Sequence, residues 1–230
     1  MRPGAFVPRG SAAAGAGGAR AFRDRADAGR RLAEHLGAYA DRAGVIVLGL
    51  PRGGVPVAVE VARALHAPLD VFVVRKLGVP GDEELAMGAI ATGGVIVLND
   101  GVVSDLRLSE ETIATVAAAE LAELERREQA YRGRRPPAEV ENRVVILVDD
   151  GLATGATMRA AVRAVRMRSP ARVVVAVPVA AEETYTVVRS EADDVVCPLR
   201  PPGFRSVGGW YDDFSATGDD EVRTLLNDIM

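Results

Sequence analysis

The chain is poor in cysteine, in aromatic residues and in long apolar runs. It holds one cysteine, Cys197, among 230 residues, so an intrachain disulfide framework is excluded. Aromatic residues make up 4% of the chain, and its apolar runs have the length of strands rather than of membrane spans. The formal net charge of −4 provides no basic excess to attract nucleic acid or a membrane surface. We therefore expect a cytoplasmic protein that binds neither nucleic acid nor membrane.

The N-terminal segment differs in composition from the remainder of the chain. Residues 1–20 are rich in Gly, Ala and Arg, and they contain no continuous apolar core of the kind that a signal peptide needs. This composition predicts a disordered tail. Residues 21–230 are long enough for one α/β domain with a sizeable core.

Apolar residues in the main part of the chain alternate between two kinds of spacing. Apolar positions recur at the three- and four-residue spacing of a helix at Ala28, Leu32, Leu36 and Tyr39. Strand-like apolar runs are "GVIVLGL", "LDVFVVRK", "VVILVDD", "RVVVAVPV" and "DDVVCPL", and most of them are separated by helical patterns. Buried strands that alternate with helices are typical of a doubly wound α/β fold, with a mainly parallel sheet flanked by helices.

Residues 77–108 interrupt this alternation. The stretch "GAIATGGVIVLND" has two short apolar runs about a Thr-Gly-Gly turn, which predicts an inserted hairpin or flexible loop. Ser109 is placed to cap a long helix that runs to about Tyr131. Near the C-terminus, Asp219 or Asp220 is expected to cap a last short helix.

The stretch "VVILVDDGLATGAT" has the most specific pattern in the chain. A buried strand ends in Asp149 and Asp150, and a loop with Thr154, Gly155 and Thr157 then leads into a helix. Backbone N–H groups, hydroxyls and the positive end of a helix together bind a phosphate dianion well. Paired carboxylates suit a ligand that also carries hydroxyls or a metal ion. The pattern therefore predicts a sugar phosphate ligand.

Two other interpretations of this stretch compete with the ligand site. A Walker A loop needs four residues between its glycines and then Gly-Lys-Ser/Thr, whereas three residues separate Gly151 from Gly155 and no lysine follows, so this interpretation is excluded. The alternative that stays open is an ordinary strand, turn and helix whose threonines and aspartates serve as caps. Two strand-end acids before a TGxT helix start form a narrower pattern, which favours the ligand site.

The same stretch resembles the signature of type I phosphoribosyltransferases, which bind 5-phosphoribosyl-1-pyrophosphate (PRPP). The order of elements fits that family over residues 24–225, and the chain is most similar to bacterial members of unassigned acceptor. The resemblance implies that Asp149 and Asp150 bind the ribose hydroxyls and that the following loop binds the 5′-phosphate. The PRPP-binding residues implied for that loop are Gly151, Ala153, Thr154, Gly155, Ala156 and Thr157.

Two further segments are implied to bind the pyrophosphate group. The stretch "LPRGGVPVA" resembles the family's pyrophosphate loop, so Arg52, Gly53 and Gly54 would present backbone N–H groups, although a simple strand-to-helix turn is the alternative. Arg75 and Lys76 end the predicted second strand and carry positive charge for the leaving group. Adjacent strand residues point to opposite faces, and of the two we favour Lys76.

The resemblance implies a Mg²⁺-dependent, homodimeric enzyme that transfers 5-phosphoribosyl to a nitrogenous base and releases pyrophosphate. Enzymes for 6-oxopurines carry a proton-accepting Asp where this chain has Ala153. Residues 78–93 lie where the family has its mobile catalytic loop, and the acids in it are Asp82, Glu83 and Glu84, any of which can be a general base. We favour Glu84 for this catalytic role, beside Lys76 and Arg52; ordinary solvated carboxylates are the alternative.

Residues 198–218 lie where the family builds a hood over the acceptor. Phe204, Trp210 and Tyr211 are placed there to stack on a planar base, and packing of this segment onto the body of the domain is the alternative. A second function also stays open, because some proteins of this fold bind PRPP or a nucleotide as regulators without catalysis. The acids, the phosphate loop, "PRGG" and "RK" together favour an enzyme.

Overall fold

The computed structural model describes residues 21–229, and the predicted N-terminal tail lies outside them. Its centre is a five-stranded parallel sheet with the order β2-β1-β6-β7-β8. The strands of this sheet are β1 (Val45–Gly49), β2 (Leu69–Val71), β6 (Val144–Val148), β7 (Arg172–Ala176) and β8 (Asp194–Val196).

Helices cover both faces of the parallel sheet. They are α1 (Arg25–Ala33), α2 (Gly54–Leu65), α3 (Asp100–Asp105), α4 (Glu110–Arg132), α5 (Ala156–Arg166), α6 (Glu182–Glu191) and α7 (Asp219–Asn227). Alternate strand residues point to opposite faces: Val47 joins a core formed with α1, α2, α4 and α7, whereas Ile46 joins a core formed with α5 and α6. The predicted doubly wound α/β class is therefore confirmed. Within the described part of the chain, no helix combines the length and apolar character needed to cross a bilayer.

A second, antiparallel sheet is inserted after β2. Its strands are β3 (Val74–Val79), β4 (Asp82–Ala91) and β5 (Val95–Leu98), in the order β3-β4-β5. The predicted hairpin about the Thr-Gly-Gly turn is β4 and β5, and it is confirmed. The segment expected as a flexible loop instead forms much of the β3–β4 hairpin, because its backbone is paired from Val74 to Ala91.

The stretch "LDVFVVRK" is not one strand, contrary to the sequence prediction. Its first part is β2 and its last part begins β3, in a different sheet. The N–H of Phe72 still donates to the carbonyl of Gly49 in β1 at 3.0 Å, but the N–H of Val73 donates to the side-chain oxygen of Thr92 at 2.8 Å. The chain therefore leaves the parallel sheet between these two residues, and it carries Lys76 into the antiparallel sheet.

The helix ends agree with the sequence in some places and not in others. The side chain of Ser109 accepts from the N–H of Thr112 and caps α4, as predicted. The prediction that an aspartate caps α7 is wrong, because Gly218 is at the cap. Asp219 instead accepts a hydrogen bond from the hydroxyl of Tyr131 at 2.7 Å, which ties α7 to α4. Burial and this bond raise the pKa of Tyr131 to about 12.

Cys197 is expected to be unreactive in the folded protein. Its thiol is partly buried and donates to the carbonyl of Leu199 at 3.3 Å, and burial raises its pKa to about 12. At pH 8 a thiol of that pKa is ionised in about one molecule in ten thousand, and the thiolate is the reactive form. We expect almost no colour with Ellman's reagent until denaturant is added, and then one thiol per chain. Rapid labelling without denaturant would contradict this burial.

Candidate active site

The candidate site lies at the carboxyl edge of the parallel sheet, where the loops after β1 and β6 leave side by side. Gly49 pairs with Val148 at the ends of these strands. A Cβ on Gly54 would lie 2.6 Å from the carbonyl oxygen of Val148 and 2.9 Å from the Cα of Asp149. A side chain at Gly53 would collide with the carboxylate of Asp150. The two glycines of "PRGG" therefore let α2 begin directly against the paired acids.

The paired acids are partly buried, so ionisation of their carboxyl groups has a free-energy cost. Asp149 Oδ1 accepts from the N–H of Asp150 at 2.9 Å, and Asp150 Oδ2 accepts from Arg25 Nε at 2.8 Å. Burial raises the pKa of Asp149 well above its ordinary range, and the charge of Asp150 raises it further. Burial also raises the pKa of Asp150, and Arg25 opposes that shift. A ligand that donates hydroxyl hydrogen bonds or brings positive charge would relieve this cost.

Two helices, α2 and α5, begin at this edge without a capping side chain and without an acid in the first turn. Every other α-helix within residues 21–229 has a capping side chain or an acid in the first turn. A bare helix N-terminus carries partial positive charge and free N–H groups. The site therefore offers two candidate anion-binding positions, one at the start of α2 against the acids and one at the start of α5, in the loop that follows them.

The loop before α5 is anchored to α6, and much of its surface is exposed to solvent. Gly155, at the N-cap, has a positive φ of 71° and a buried backbone. The hydroxyl of Thr184 in α6 donates to the carbonyl of Ala153 at 2.5 Å. The exposed residues of the loop and first turn are Ala153, Thr154, Ala156 and Thr157. The predicted phosphate-binding residues therefore stand together on a surface that a phosphate can reach.

The structure separates the two basic residues of "VVRK". Arg75 turns towards α4, where it forms an ion pair with Glu120 at 2.7 Å. Lys76, unlike Arg75, lines a cavity of about 210 Å³ that Thr157 of α5 also lines. Its ammonium group lies 3.4 Å from the exposed carboxylate of Glu84 in β4. Of the two cations, Lys76 is thus the one on the side of the phosphate loop.

Arg52, in the loop after β1, is about half exposed. Its guanidinium lies 3.9 Å from the carboxylate of Asp219 at the start of α7. An exposed pair at this distance is weak, so an anion at the N-terminus of α2 can compete for Arg52.

Of the three aromatic residues predicted to stack on a base, Tyr211 offers no open ring face. Tyr211 is fully buried, with its ring between Phe22 at 5.3 Å and Phe214 at 5.0 Å. Its hydroxyl donates to the carbonyl of Asp150 at 2.6 Å. Because both neighbours cover its ring, Tyr211 packs this segment onto the domain and supports the acids. Partly buried Phe204 and Trp210 pack against the same cluster.

Comparison with known proteins gives the family. A family model described as "Phosphoribosyl transferase domain" matches residues 21–205. The chain belongs to the phosphoribosyltransferase family.

Relatives of known sequence and structure agree with this assignment. "Putative phosphoribosyl transferase Rv0571c" of Mycobacterium tuberculosis (strain ATCC 25618 / H37Rv) is 48% identical over 206 residues, which cover 90% of this chain and 46% of that protein. "Putative phosphoribosyl transferase MT0597" of strain CDC 1551 / Oshkosh gives the same figures. The chain thus spans about half the length of these curated relatives. The crystal structure of TT1426 from Thermus thermophilus matches with a TM-score of 0.80 at 44% identity, over 90% of this chain and 98% of that one.

Sequence reasoning missed one residue of the candidate site. Arg25, the first residue of α1, contacts Asp150 from a position 125 residues earlier in the chain. No motif links two residues so far apart. The only sequence signal was an arginine at a helix N-terminus, where a cation is electrostatically unfavourable.

Proposed function

We propose that the protein is a Mg²⁺-dependent phosphoribosyltransferase, which transfers 5-phosphoribosyl from PRPP to a nitrogenous base and releases pyrophosphate. One observation carries the proposal: a partly buried acid pair lies against the start of α2, and the loop that follows the pair leads into α5, and neither helix has a capping side chain or an acid in its first turn. PRPP has the matching order of groups, with a ribose between a 5′-phosphate and a 1-pyrophosphate.

The proposed roles follow from this order. Asp149 and Asp150 accept hydrogen bonds from the ribose hydroxyls, because charge-assisted bonds are the stronger kind. The N–H groups at the start of α5 bind the 5′-phosphate, and those at the start of α2 bind the pyrophosphate. Lys76 and Arg52 add positive charge to the leaving group. Arg75 has a smaller part in this proposal, because Glu120 already pairs with it.

The charges that develop during the reaction lie next to the proposed acids and cations. A nitrogen of the base bonds to ribose C1 as the C1–O bond to pyrophosphate breaks, and the base then loses a proton. Positive charge develops on the ribose beside the acids, and negative charge develops on the departing oxygen beside the cations. The protein mainly holds the reactants in line and excludes other geometries.

The residues present fit a Mg²⁺ ion that is held mostly by substrate. Within residues 21–229, no group of three or more His, Cys, Asp or Glu side chains is arranged to hold a metal. Asp149 and Asp150 would offer carboxylate oxygens to the ion, and pyrophosphate, ribose and water oxygens would supply its other ligands. The ion would neutralise pyrophosphate charge beyond what one lysine and one arginine can balance.

A pyrophosphate-release assay tests the proposal. PRPP and Mg²⁺ are supplied with a panel of purines, pyrimidines and other nitrogen heterocycles, and reactions without a base give the background. We expect release with at least one base and none after chelation of the metal. Tight PRPP binding without release for any base would instead indicate a non-catalytic regulator. Light scattering of the same sample tests the homodimer that belongs to this proposal.

Hypoxanthine and guanine are expected to be poor acceptors. The loop offers the side chain of Ala153 where a proton acceptor would be needed, and its carbonyl is bonded to Thr184. A positioned general base contributes about 10²–10⁴-fold in rate, so we expect these bases to react at least about 10²-fold more slowly than the preferred acceptor. Efficient turnover of guanine would contradict this expectation.

Glu84 is proposed as the general base, and its replacement by glutamine tests the assignment. We expect Glu84→Gln to lower turnover by about 10²–10⁴-fold while PRPP affinity is unchanged. Glu83→Gln is the matched control, since its side chain is also exposed in β4. Because Glu84 pairs with Lys76, weaker PRPP binding in the variant would show that it acts through Lys76 instead.

A further inference from the structure

The side chain of Arg25 makes three contacts, which fix the position and the orientation of its guanidinium group. Its Nε donates to Asp150 Oδ2 at 2.8 Å, and its Nη1 donates to the carbonyl of Ser215 at 2.7 Å. Its guanidinium also lies 3.9 Å above the ring of Phe214. The side chain is only 11% exposed. An arginine with three such contacts has lost most of its rotamer freedom, so it presents a pre-oriented donor to the acid.

Helix stability does not explain this position. Arg25 begins α1, where a cation opposes the helix dipole. The cap of α1 is supplied by the neighbouring Asp24, whose side chain accepts from the N–H of Asp27. The contacts of Arg25 instead run to the strand-end acid and to the C-terminal segment.

The side-chain carboxylate and the backbone carbonyl of Asp150 are both held by one group of contacting residues. Arg25 holds its carboxylate, and the hydroxyl of Tyr211 donates to its carbonyl at 2.6 Å. Tyr211 packs against Phe214, the ring beneath Arg25. We refer to Arg25, Tyr211 and Phe214 as the Asp150 clamp. The clamp holds the carboxylate through Oδ2 alone, so it leaves Oδ1 for a ligand.

The clamp also balances charge. Asp149 and Asp150 are adjacent carboxylates in a partly buried place, and their mutual repulsion favours turning one of them away. Arg25 supplies the compensating charge through its direct ion pair with Asp150. The loop backbone at Gly53 lies against this ion pair, since a Cβ there would approach Arg25 Nε to 3.3 Å. Rotation of Asp150 out of the site is therefore blocked on one side and opposed by an ion pair.

We propose that Arg25 is a positioning residue for the ribose, and that it acts through Asp150 rather than by contact with the substrate. The proposal rests on the proposed function, in which Asp150 binds a ribose hydroxyl. It predicts a selective defect: ligands that contain ribose lose affinity when Arg25 is changed, and ligands without ribose do not.

Calorimetric titration with two ligands tests this selectivity. Ribose 5-phosphate probes the acids and the phosphate loop, whereas pyrophosphate without added metal probes the loop after β1 and Lys76 and does not involve the acids. We expect Arg25→Gln to bind ribose 5-phosphate about tenfold or more weakly and to bind pyrophosphate as the wild type does. Arg25→Lys keeps the charge but loses the planar fork, so it should recover part of the ribose affinity. Arg30→Gln, which removes a half-exposed cation from the same helix, should change neither.

The possible results separate cleanly. Equal loss of both ligands together with a lower melting temperature would mean that Arg25 only supports the fold, and it would overturn the proposal. Unchanged or tighter ribose binding in Arg25→Gln would also overturn it, the latter because Arg25 would then compete with the ribose for Asp150. A wild type that binds pyrophosphate but not ribose 5-phosphate would refute the proposed function itself, and this inference with it.

Discussion

Replacement of Gly155 by valine is expected to abolish the binding of ribose 5-phosphate. Gly155 has a φ of +71°, a left-handed backbone that a β-branched residue rarely adopts. A Cβ there would lie 2.6 Å from the Cγ2 of Thr184 and 3.5 Å from a methyl of Val188. The residue can be accommodated only if the loop before α5 moves, and the N–H groups that would bind phosphate then lose their shared direction. The measurement is the rise in melting temperature that the ligand produces, which we expect in the wild type and not in the variant.

Two further variants separate the causes of this effect. Gly218→Val places the same side chain at the N-cap of α7, where φ is −83° and no atom lies within 4 Å of a Cβ. It should keep the full ligand-induced shift. The double variant Gly155→Ala with Thr184→Ser removes the colliding methyl and keeps the hydroxyl that holds Ala153, so only the backbone strain is left. An undiminished shift in Gly155→Val would show that phosphate does not bind at this loop.

The local parts of the fold were predictable because they depend on short-range patterns. The strand "VVILV" and the helix after Gly155 follow from apolar spacing and from the position of the glycine, whose φ in the structure is positive. The parallel order of β1 and β6 brings "PRGG" to the acids, because strand ends of a doubly wound sheet meet at one edge. Both loops of the candidate site could therefore be assigned from sequence.

The parts that could not be predicted depend on contacts between distant residues. The chain leaves the parallel sheet after Phe72, where Thr92 offers Val73 a hydrogen bond, and no pattern in "LDVFVVRK" shows where one sheet ends. Tyr211 is buried because Phe22 and Phe214 cover its ring. The sequence shows that Tyr211 is aromatic. Whether its ring is exposed depends on how the segments that contain Phe22 and Phe214 pack against it. Arg25 belongs to the same group of long-range contacts.

Replacement of either paired acid by asparagine is expected to cause a large loss of PRPP affinity. Each variant removes charge-assisted hydrogen bonds to the ribose, of about 1.5–3 kcal/mol each. The expected loss is therefore about 10- to 150-fold. Titration of PRPP into each variant measures it, and Asp105→Asn, at the exposed end of α3, is the control. Unchanged affinity in both variants would remove Asp149 and Asp150 from the binding site.

The two asparagine variants are expected to differ in stability, although both lose binding. Burial raises the pKa of Asp149 in the folded state, so ionisation of this group destabilises the fold. That cost is absent at a pH below the ordinary carboxyl range, grows as the pH rises towards the raised pKa, and is constant above it. Asparagine has no such cost. The free energy of unfolding of Asp149→Asn relative to the wild type should therefore increase from pH 4 towards neutral pH.

Asp150→Asn should be the less stable of the two variants at neutral pH. Its substitution leaves the guanidinium of Arg25, which is 11% exposed, without a carboxylate partner, and a buried charge that loses its partner is destabilising. Asp149 has no such ion pair, and its bond from the N–H of Asp150 can be kept by the amide oxygen. Urea denaturation of both variants at pH 7 measures the difference. Equal stabilities would mean that the pair of Arg25 and Asp150 contributes no charge compensation. If Asp149→Asn is also more stable than the wild type at pH 7, the Asp149 carboxylate is kept at the expense of stability.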